Sequence, residues 1–283
     1  MNDANVNQPP TYKEEAAQYT KKDAIYALLF FAAIMVLNVV VPIWISGYWV
    51  NLGFNIVQFV ILLVILKKRG QGLRSVGLHF MDFKKVLVVG LVFAVIVILI
   101  NGLIPGIIMG FEMLPAIVLM GNAARVFVQA LYEDIFYVGY FQTRIYGLIK
   151  RDWLAVFVGS FIFAIAHWPW HIRMAMASAG GLNFDFWSSL AFLTFYWMVM
   201  HIVFFNGIFR HMRSIIPVTL FHFAGNFAGL RSMWAEGLGH GGHGAHNLGF
   251  DSNEMIFRGI AFGLVSVILW WIFPYIKKRR AVK

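Results

Sequence analysis

The chain has no cysteine and few charged residues, and both shortages narrow what it can be. Of its 283 residues only 13% are charged and 60% are hydrophobic, whereas a soluble globular domain has roughly 25% charged and 45–50% apolar residues. So little charge cannot cover a surface exposed to water, and most of the surface must therefore face lipid. The lack of cysteine excludes disulfides and metal sites with thiolate ligands.

The formal net charge of +10 comes from basic residues in short loops between apolar segments. Such a distribution is typical of topology signals at an anionic membrane surface, and not of a nucleic-acid groove. We therefore expect the lipid bilayer, and no nucleic acid, among the partners. The oligomeric state is left open by the sequence.

Eight apolar segments approach the roughly 20 helical residues that cross a bilayer. Their approximate bounds are 24–45, 51–66, 86–104, 122–146, 153–171, 186–209, 215–230 and 255–276. With the N-terminus in the cytosol, most of the 23 Lys and Arg residues fall in cytosolic loops, which is the bias that sets membrane topology. The sequence thus predicts an all-α transmembrane bundle of about eight spans with both termini cytosolic.

This topology divides the chain into three parts. Residues 1–22 form a polar cytosolic N-terminal arm, residues 23–276 a single transmembrane domain, and residues 277–283 a basic cytosolic tail. The basic internal loops and the lack of a signal-peptide pattern favour a prokaryotic plasma membrane.

A few polar side chains interrupt the apolar segments, and each is a functional-site hypothesis because burying them in a membrane is costly. Counting 1.5 Å per residue from the cytosolic helix ends places Glu133 roughly 16 Å, His167 roughly 22 Å, His222 roughly 14 Å and Asn226 roughly 20 Å into the bilayer. These depths all lie in the middle of a hydrocarbon core about 30 Å thick. His222 and Asn226, four residues apart, also share one helix face.

The chemistry that such a cluster favours is hydrolysis. A desolvated carboxylate beside an imidazole can activate a water molecule as a general base. A second histidine with an asparagine one turn away offers hydrogen-bond donors to a developing oxyanion. Together these groups suit amide hydrolysis without a covalent intermediate.

Three motifs in this region resemble those of the CPBP family of intramembrane proteases (CAAX protease and bacteriocin-processing, or Abi). The family pattern Glu-Glu-x-x-x-Arg is matched in part by Glu133, Asp134 and Val138. Phe-x-x-x-His is matched by Phe163 and His167, and His-x-x-x-Asn by His222 and Asn226. The motif region covers residues 131–230.

The resemblance implies an intramembrane endopeptidase that acts on a membrane-associated peptide or protein. In such an enzyme Glu133 and His167 would activate water, while His222 and Asn226 would stabilise the oxyanion. Asp134 and Phe163 would play supporting roles. The resemblance does not identify the substrate.

Two departures from the family pattern keep a second interpretation open. Asp134 keeps the charge of the second Glu with a shorter reach, and Val138 removes the Arg. A catalytically inactive family member acting as a membrane scaffold or immunity-type protein is therefore the alternative. A proton-coupled transporter ranks last, because the sequence has no inverted repeat.

Metal dependence is open at this stage. Glu133, His167 and His222 could hold zinc with one open coordination position. Asn226, however, suits an oxyanion donor better than a zinc ligand, and we expect no cofactor. Of the remaining histidines, we interpret His201 as packing, His171 as interfacial, and the Gly/His stretch 239–246 as an external loop.

Overall fold

The computed structural model describes residues 12–44, 48–79, 82–108, 112–176, 181–228 and 252–272, and the regular elements in these ranges are helices. The Gly/His loop at 239–246, the basic tail at 277–283 and the first eleven residues of the N-terminal arm lie outside the described residues. The prediction of an all-α fold is confirmed.

The described α-helices follow one another along the chain. They are α1 (Tyr12–Ala17), α2 (Lys21–Trp44), α3 (Tyr48–Lys68), α4 (Phe83–Ile98), α5 (Ile104–Ile108), α6 (Ala116–Asp134), α7 (Gln142–Arg144), α8 (Asp152–Ile165), α9 (Trp168–Met176), α10 (Phe184–Met200), α11 (Asn206–Met212), α12 (Ile215–Phe227) and α13 (Ser252–Val267). Short 3₁₀ turns lie at Leu73–Val76 and Ile145–Gly147, and π-helical turns extend several helices at Leu99–Leu103, Ile135–Phe141, His201–Phe205 and Ile268–Ile272.

Three continuous helical runs in the described part of the chain are long and apolar enough to cross a membrane: Phe83–Ile108, Asp152–Arg173 and Phe184–Met212. Ile215–Phe227 and Gly259–Ile272 are shorter apolar helices. Each of the eight predicted segments overlaps a helix. The protein is thus an integral membrane protein, while the count of eight spans and the cytosolic termini remain predictions.

Several helix ends that carry Lys or Arg lie at one end of the bundle, which we call the basic end. Two ion pairs join helix ends there. Arg69, just after α3, lies 3.0 Å from Asp23 near the start of α2. Arg210 of α11 lies 2.7 Å from Asp152, the first residue of α8. These contacts show that α2 and α8 begin where α3 and α11 end.

The basic end also contains a buried cation, Arg144, near the end of the predicted segment 122–146. Arg144 is completely buried, and its guanidinium donates to the backbone carbonyls of Ser75 at 2.9 Å and Gly139 at 3.1 Å. It also lies over the rings of Tyr19 and Tyr140, at 4.3 and 4.7 Å. Arg144 thereby ties the segment before α2 and the 3₁₀ turn to the helical run that continues α6.

Gly139 allows this run to approach the 3₁₀ turn closely. A Cβ atom added at Gly139 would lie 2.4 Å from the backbone carbonyl oxygen of Val76. The carbonyl of Gly139 accepts bonds from Arg144 and from Thr143, the latter at 2.7 Å. Because the obstructing atom belongs to the backbone, it cannot rotate out of the way.

We therefore expect Gly139→Ala to lower the free energy of unfolding by about 1–3 kcal/mol, the usual cost of overpacking. The control is Gly121→Ala on α6, where an added Cβ meets nothing within 4 Å. Intrinsic tryptophan fluorescence during thermal unfolding in detergent would measure both variants. Equal unfolding temperatures for the two variants would contradict the inference that the Val76 carbonyl leaves no room for a side chain at residue 139.

Candidate functional site

The centre of the site is an imidazole between two carboxylates. Glu133 and Asp134 are the last two residues of α6, and His222 lies on α12. His222 Nδ1 is 3.0 Å from Asp134 Oδ1, and His222 Nε2 is 3.7 Å from Glu133 Oε2. The first distance is that of a hydrogen bond, whereas the second is too long for one and is an electrostatic contact.

The hydrogen-bond partner of His222 Nδ1 shows that this nitrogen carries a hydrogen. An ionised carboxylate only accepts hydrogen bonds, so Nδ1 must donate to Asp134. Nε2 is then the atom that faces Glu133 and the cavity. Since Asp134 is completely buried and bonded to the ring, it holds the orientation of the imidazole.

The proton position of His167 follows from its backbone partner in the same way. His167 Nδ1 is 3.0 Å from the carbonyl oxygen of Phe163, and a carbonyl can only accept. The neutral imidazole therefore presents the lone pair of Nε2. The indole of Trp197 stacks on one face of the imidazole, at 4.6 Å between centroids and with an interplanar angle of 8°.

Phe163 and His201 form a layer behind His167. Phe163 is buried, and its ring contacts His167 at 4.9 Å and stacks on His201 at 4.5 Å. His201 is bonded to Ser160 Oγ and Asn206 Nδ2, both at 2.9 Å. This placement agrees with the interpretation of His201 as a packing residue.

A cavity of about 620 Å³ connects these groups. All four residues that the sequence predicts as catalytic line it. Its lining residues also include amides and aromatic rings from α2, α3, α6, the π-helical turn after α6, α9 and α10: Asn38, Asn55, Gln58, Gln129, Tyr132, Tyr137, Trp170 and Trp197. Glu133 keeps 21% of its side chain exposed, and His222 only 3%.

A π-helical turn begins directly after the two carboxylates. Residues Ile135–Phe141 follow Asp134 in this wider geometry and are all buried. A π-helical turn shifts the helix face that follows it, and such turns are frequent at functional sites. Here the turn separates the polar face of α6 from the tightly packed run that reaches Arg144.

The three predicted zinc ligands do not form a metal-binding group. Among the described residues, no three His, Cys, Asp or Glu side chains come together in a way that could hold a metal ion. Glu133, His167 and His222 line the same cavity, but as placed they do not make a three-ligand set.

Several lining residues are not part of any motif and were missed in the sequence. Gln129 donates to Glu133 Oε1 at 2.8 Å, and the Tyr132 hydroxyl donates to Gln58. The four-residue spacing of Gln129 and Glu133 on one helix face is a signal that could have found the first pair. Trp197 and Gln58 come from other helices, and only the packing reveals them.

His171, interpreted above as interfacial, also lines the cavity. It lies one turn beyond His167, and its ring contacts Trp170 at 5.0 Å between centroids. His171 therefore belongs to the cavity wall, although it lies four residues after His167 and outside the three motifs.

Comparison with known protein families identifies a domain in the region of the site. Residues 114–228 match the family model described as "Type II CAAX prenyl endopeptidase Rce1-like". No curated protein matches the chain, and neither does any solved structure. The matched segment contains all three motifs and both helices that carry the carboxylate–imidazole contact. Residues 114–228 are therefore an Rce1-like domain, and the resemblance to the CAAX protease family of intramembrane proteases is confirmed.

Proposed function

We propose that the chain is an intramembrane endopeptidase of the CPBP type, which hydrolyses a peptide bond with water activated by Glu133 and His167. The observation that carries the proposal is the position of His222, between Asp134 and Glu133 and beside the cavity that His167 and Asn226 also line. A prokaryotic plasma membrane is the proposed location, on the basis of the basic loops alone.

The water is activated from two sides. Gln129 occupies Oε1 of Glu133, so that Oε2 is the oxygen available to accept a proton from water. Nε2 of His167 accepts the second hydrogen bond of that water and holds it. The water oxygen attacks the peptide carbonyl carbon while its proton moves to Glu133, and Glu133 then passes this proton to the departing amide nitrogen.

The oxyanion of the tetrahedral intermediate is stabilised by His222 and Asn226. Asp134 accepts a hydrogen bond from Nδ1–H of His222 and favours the imidazolium form, in which Nε2–H donates to the oxyanion. The amide of Asn226, one helical turn away on α12, supplies the second donor. Donors of this kind are most effective in a site that largely excludes water.

The imidazole of His167 provides one test of this mechanism. We expect His167→Gln to lower kcat by about 10²-fold or more, because the glutamine amide is a far weaker base and lacks the fixed orientation that Phe163 and Trp197 give the imidazole. His171→Gln is the matched control, since His171 lines the same cavity but has no proposed chemical role. We expect its kcat to stay within a few-fold of the natural protein.

The assay uses the full chain reconstituted in lipid nanodiscs. Peptides that end in a prenylated CAAX motif, the same peptides without the prenyl group, and a mixture of apolar membrane-tethered peptides are incubated with it. Mass spectrometry then identifies the products. Equal rates for the two histidine variants would reject the role of His167, and no cleavage of any peptide by the natural protein would favour the alternative function.

That alternative is a catalytically inactive family member that acts as a scaffold or immunity-type protein. The feature that favours it is Val138, which is completely buried in the apolar core where the family motif has Arg. Against it, the cavity beside the carboxylates remains open, and His222 faces both of them. Full restoration of biological function by the Glu133→Gln chain, in cells that lack the natural protein, would support the scaffold function.

A further inference from the structure

Helix α12 carries a buried threonine that belongs to none of the three motifs. Thr219 lies three residues before His222, on the same face of the helix, and is completely buried. Its hydroxyl oxygen has no partner at hydrogen-bond geometry among the described residues, and neither has Oδ2 of Asp134 on α6. Native proteins leave few buried polar atoms unpaired, so these two oxygens require an explanation.

The register between α6 and α12 places Thr219 level with Asp134. Val126 of α6 packs in one apolar cluster with Phe227 of α12. Asp134 is eight residues after Val126, and Thr219 is eight residues before Phe227. Helix α6 runs toward the basic end and α12 begins there, so both steps lead about 12 Å in the same direction. The two unpaired oxygens therefore lie at the same depth on neighbouring helices.

The Thr219 hydroxyl is available to Asp134. A threonine inside a helix often donates to the backbone carbonyl four residues earlier, but Oγ1 of Thr219 makes no such bond. Instead Thr219 is the second side chain, after His222, that meets the Asp134 carboxylate as a hydrogen-bonding group. A small rotation of the hydroxyl and of the carboxylate completes a bond between Oγ1 and Oδ2.

A second bond to Asp134 fixes the carboxylate on which the orientation of His222 depends. The terminal torsion of an aspartate is broad and roughly two-fold, so the single bond between Oδ1 and His222 Nδ1, at 3.0 Å, leaves the carboxylate plane free to rotate. Thr219 and His222 share one face of α12, and donors from both residues hold both carboxylate oxygens toward that helix. The imidazole then keeps its Nε2 toward Glu133.

We propose that Thr219 is a positioning residue, whose hydroxyl donates a hydrogen bond to Oδ2 of Asp134 and thereby holds the carboxylate against Nδ1–H of His222. Only the effect of this bond on turnover rests on the proposed function. The exchange of the His222 proton and the unfolding temperature therefore test the bond, and kcat tests its role in the reaction.

The first measurement is the exchange of Nδ1–H of His222 with water, by NMR on the full chain labelled with ¹⁵N-histidine in nanodiscs. The signal is assigned by its absence in His222→Gln. Thr219→Val keeps the shape of the side chain without the hydroxyl, and we expect exchange to become about three- to tenfold faster, the ratio that one hydrogen bond contributes. Thr219→Ser keeps the hydroxyl and should stay near the natural rate. Unchanged exchange in Thr219→Val would overturn the proposal.

Thr194→Val is the matched control for the loss of a buried hydroxyl. Thr194 is a buried residue of α10, and its hydroxyl is bonded to the Leu190 carbonyl at 2.7 Å and to the Trp168 indole at 2.9 Å. We expect this variant to leave the exchange of the His222 proton unchanged. Equally faster exchange in both valine variants would reject a specific bond between Thr219 and Asp134.

The unfolding temperature in detergent tests the same bond without the His222 signal. We expect Thr219→Val to lower it by about 2–4 °C, the shift that one hydrogen bond gives in a chain of this size. In an Asp134→Ala background the same substitution should not lower it, because the hydroxyl has lost its acceptor. An equal fall in both backgrounds would overturn the bond.

Kinetics then test whether the bond matters to the reaction. With a peptide that the natural chain cleaves, we expect Thr219→Val to lower kcat by about three- to tenfold with KM changed by no more than about twofold, and Thr219→Ser to recover most of kcat. Unchanged kcat together with faster exchange would reject the positioning role. A natural chain that cleaves no peptide would reject the proposed function, while the exchange rates would still decide for or against the bond.

Discussion

Replacing Glu133 by glutamine is expected to lower kcat by about 10³-fold or more, the range in which a general base contributes to catalysis. Glutamine has nearly the same shape but cannot take a proton from water. The bond from Gln129 to Oε1 can be kept by the glutamine carbonyl, so the local packing should be preserved. The loss would therefore report on proton transfer and not on a collapsed site.

Glu112→Gln is the matched control for this substitution. Glu112 is exposed and lies just before α6, so the same change of charge there should leave turnover within about twofold, as surface substitutions usually do. Rates are compared in nanodiscs with a peptide that the natural protein cleaves, together with the thermal unfolding temperature of each variant. A Glu133→Gln chain that cleaves at the natural rate would remove Glu133 from the mechanism.

Much of the fold could be predicted from the sequence because lipid imposes a simple constraint on it. Apolar segments in a bilayer must satisfy their backbone hydrogen bonds internally and therefore form helices, and every one of the eight segments overlaps a helix. The burial of Arg144 could not be predicted in this way. Its partners include Ser75 and Gln71, which are about seventy residues away in sequence and meet it only after folding.

In the candidate site, too, the residues could be predicted from the sequence, but the contacts between residues distant in the chain could not. The residue types and the depths of Glu133, His167 and His222 along their helices predict one cluster from the sequence alone. The bond between Asp134 and His222 joins residues 88 positions apart, and the π-helical turn after Asp134 has no marker in the sequence. Both depend on how α6 packs against α12, which periodicity and composition do not specify.

Asp134 is expected to act on the reaction through His222. Its carboxylate accepts a hydrogen bond from Nδ1–H of His222, with 3.0 Å between Nδ1 and Oδ1, and is completely buried, so that its charge stabilises the imidazolium directly. We expect Asp134→Asn to lower kcat by about 10²- to 10⁴-fold, by analogy with the loss of the orienting carboxylate in a Ser-His-Asp triad. Asn either leaves the imidazolium without a counter-charge or favours the wrong tautomer.

A purely structural role for Asp134 would give a different result. The positioning role predicts a fall in kcat with KM changed by no more than about twofold, because the substrate does not contact Asp134, and an unfolding temperature that is not lowered. Asp134→Glu, which restores the residue of the family motif, should recover a large part of kcat because its carboxylate can still accept the hydrogen bond from Nδ1–H. Full kcat in Asp134→Asn would show that His222 does not need this carboxylate. A lowered unfolding temperature in both variants, with kcat per folded molecule unchanged, would assign Asp134 to stability alone.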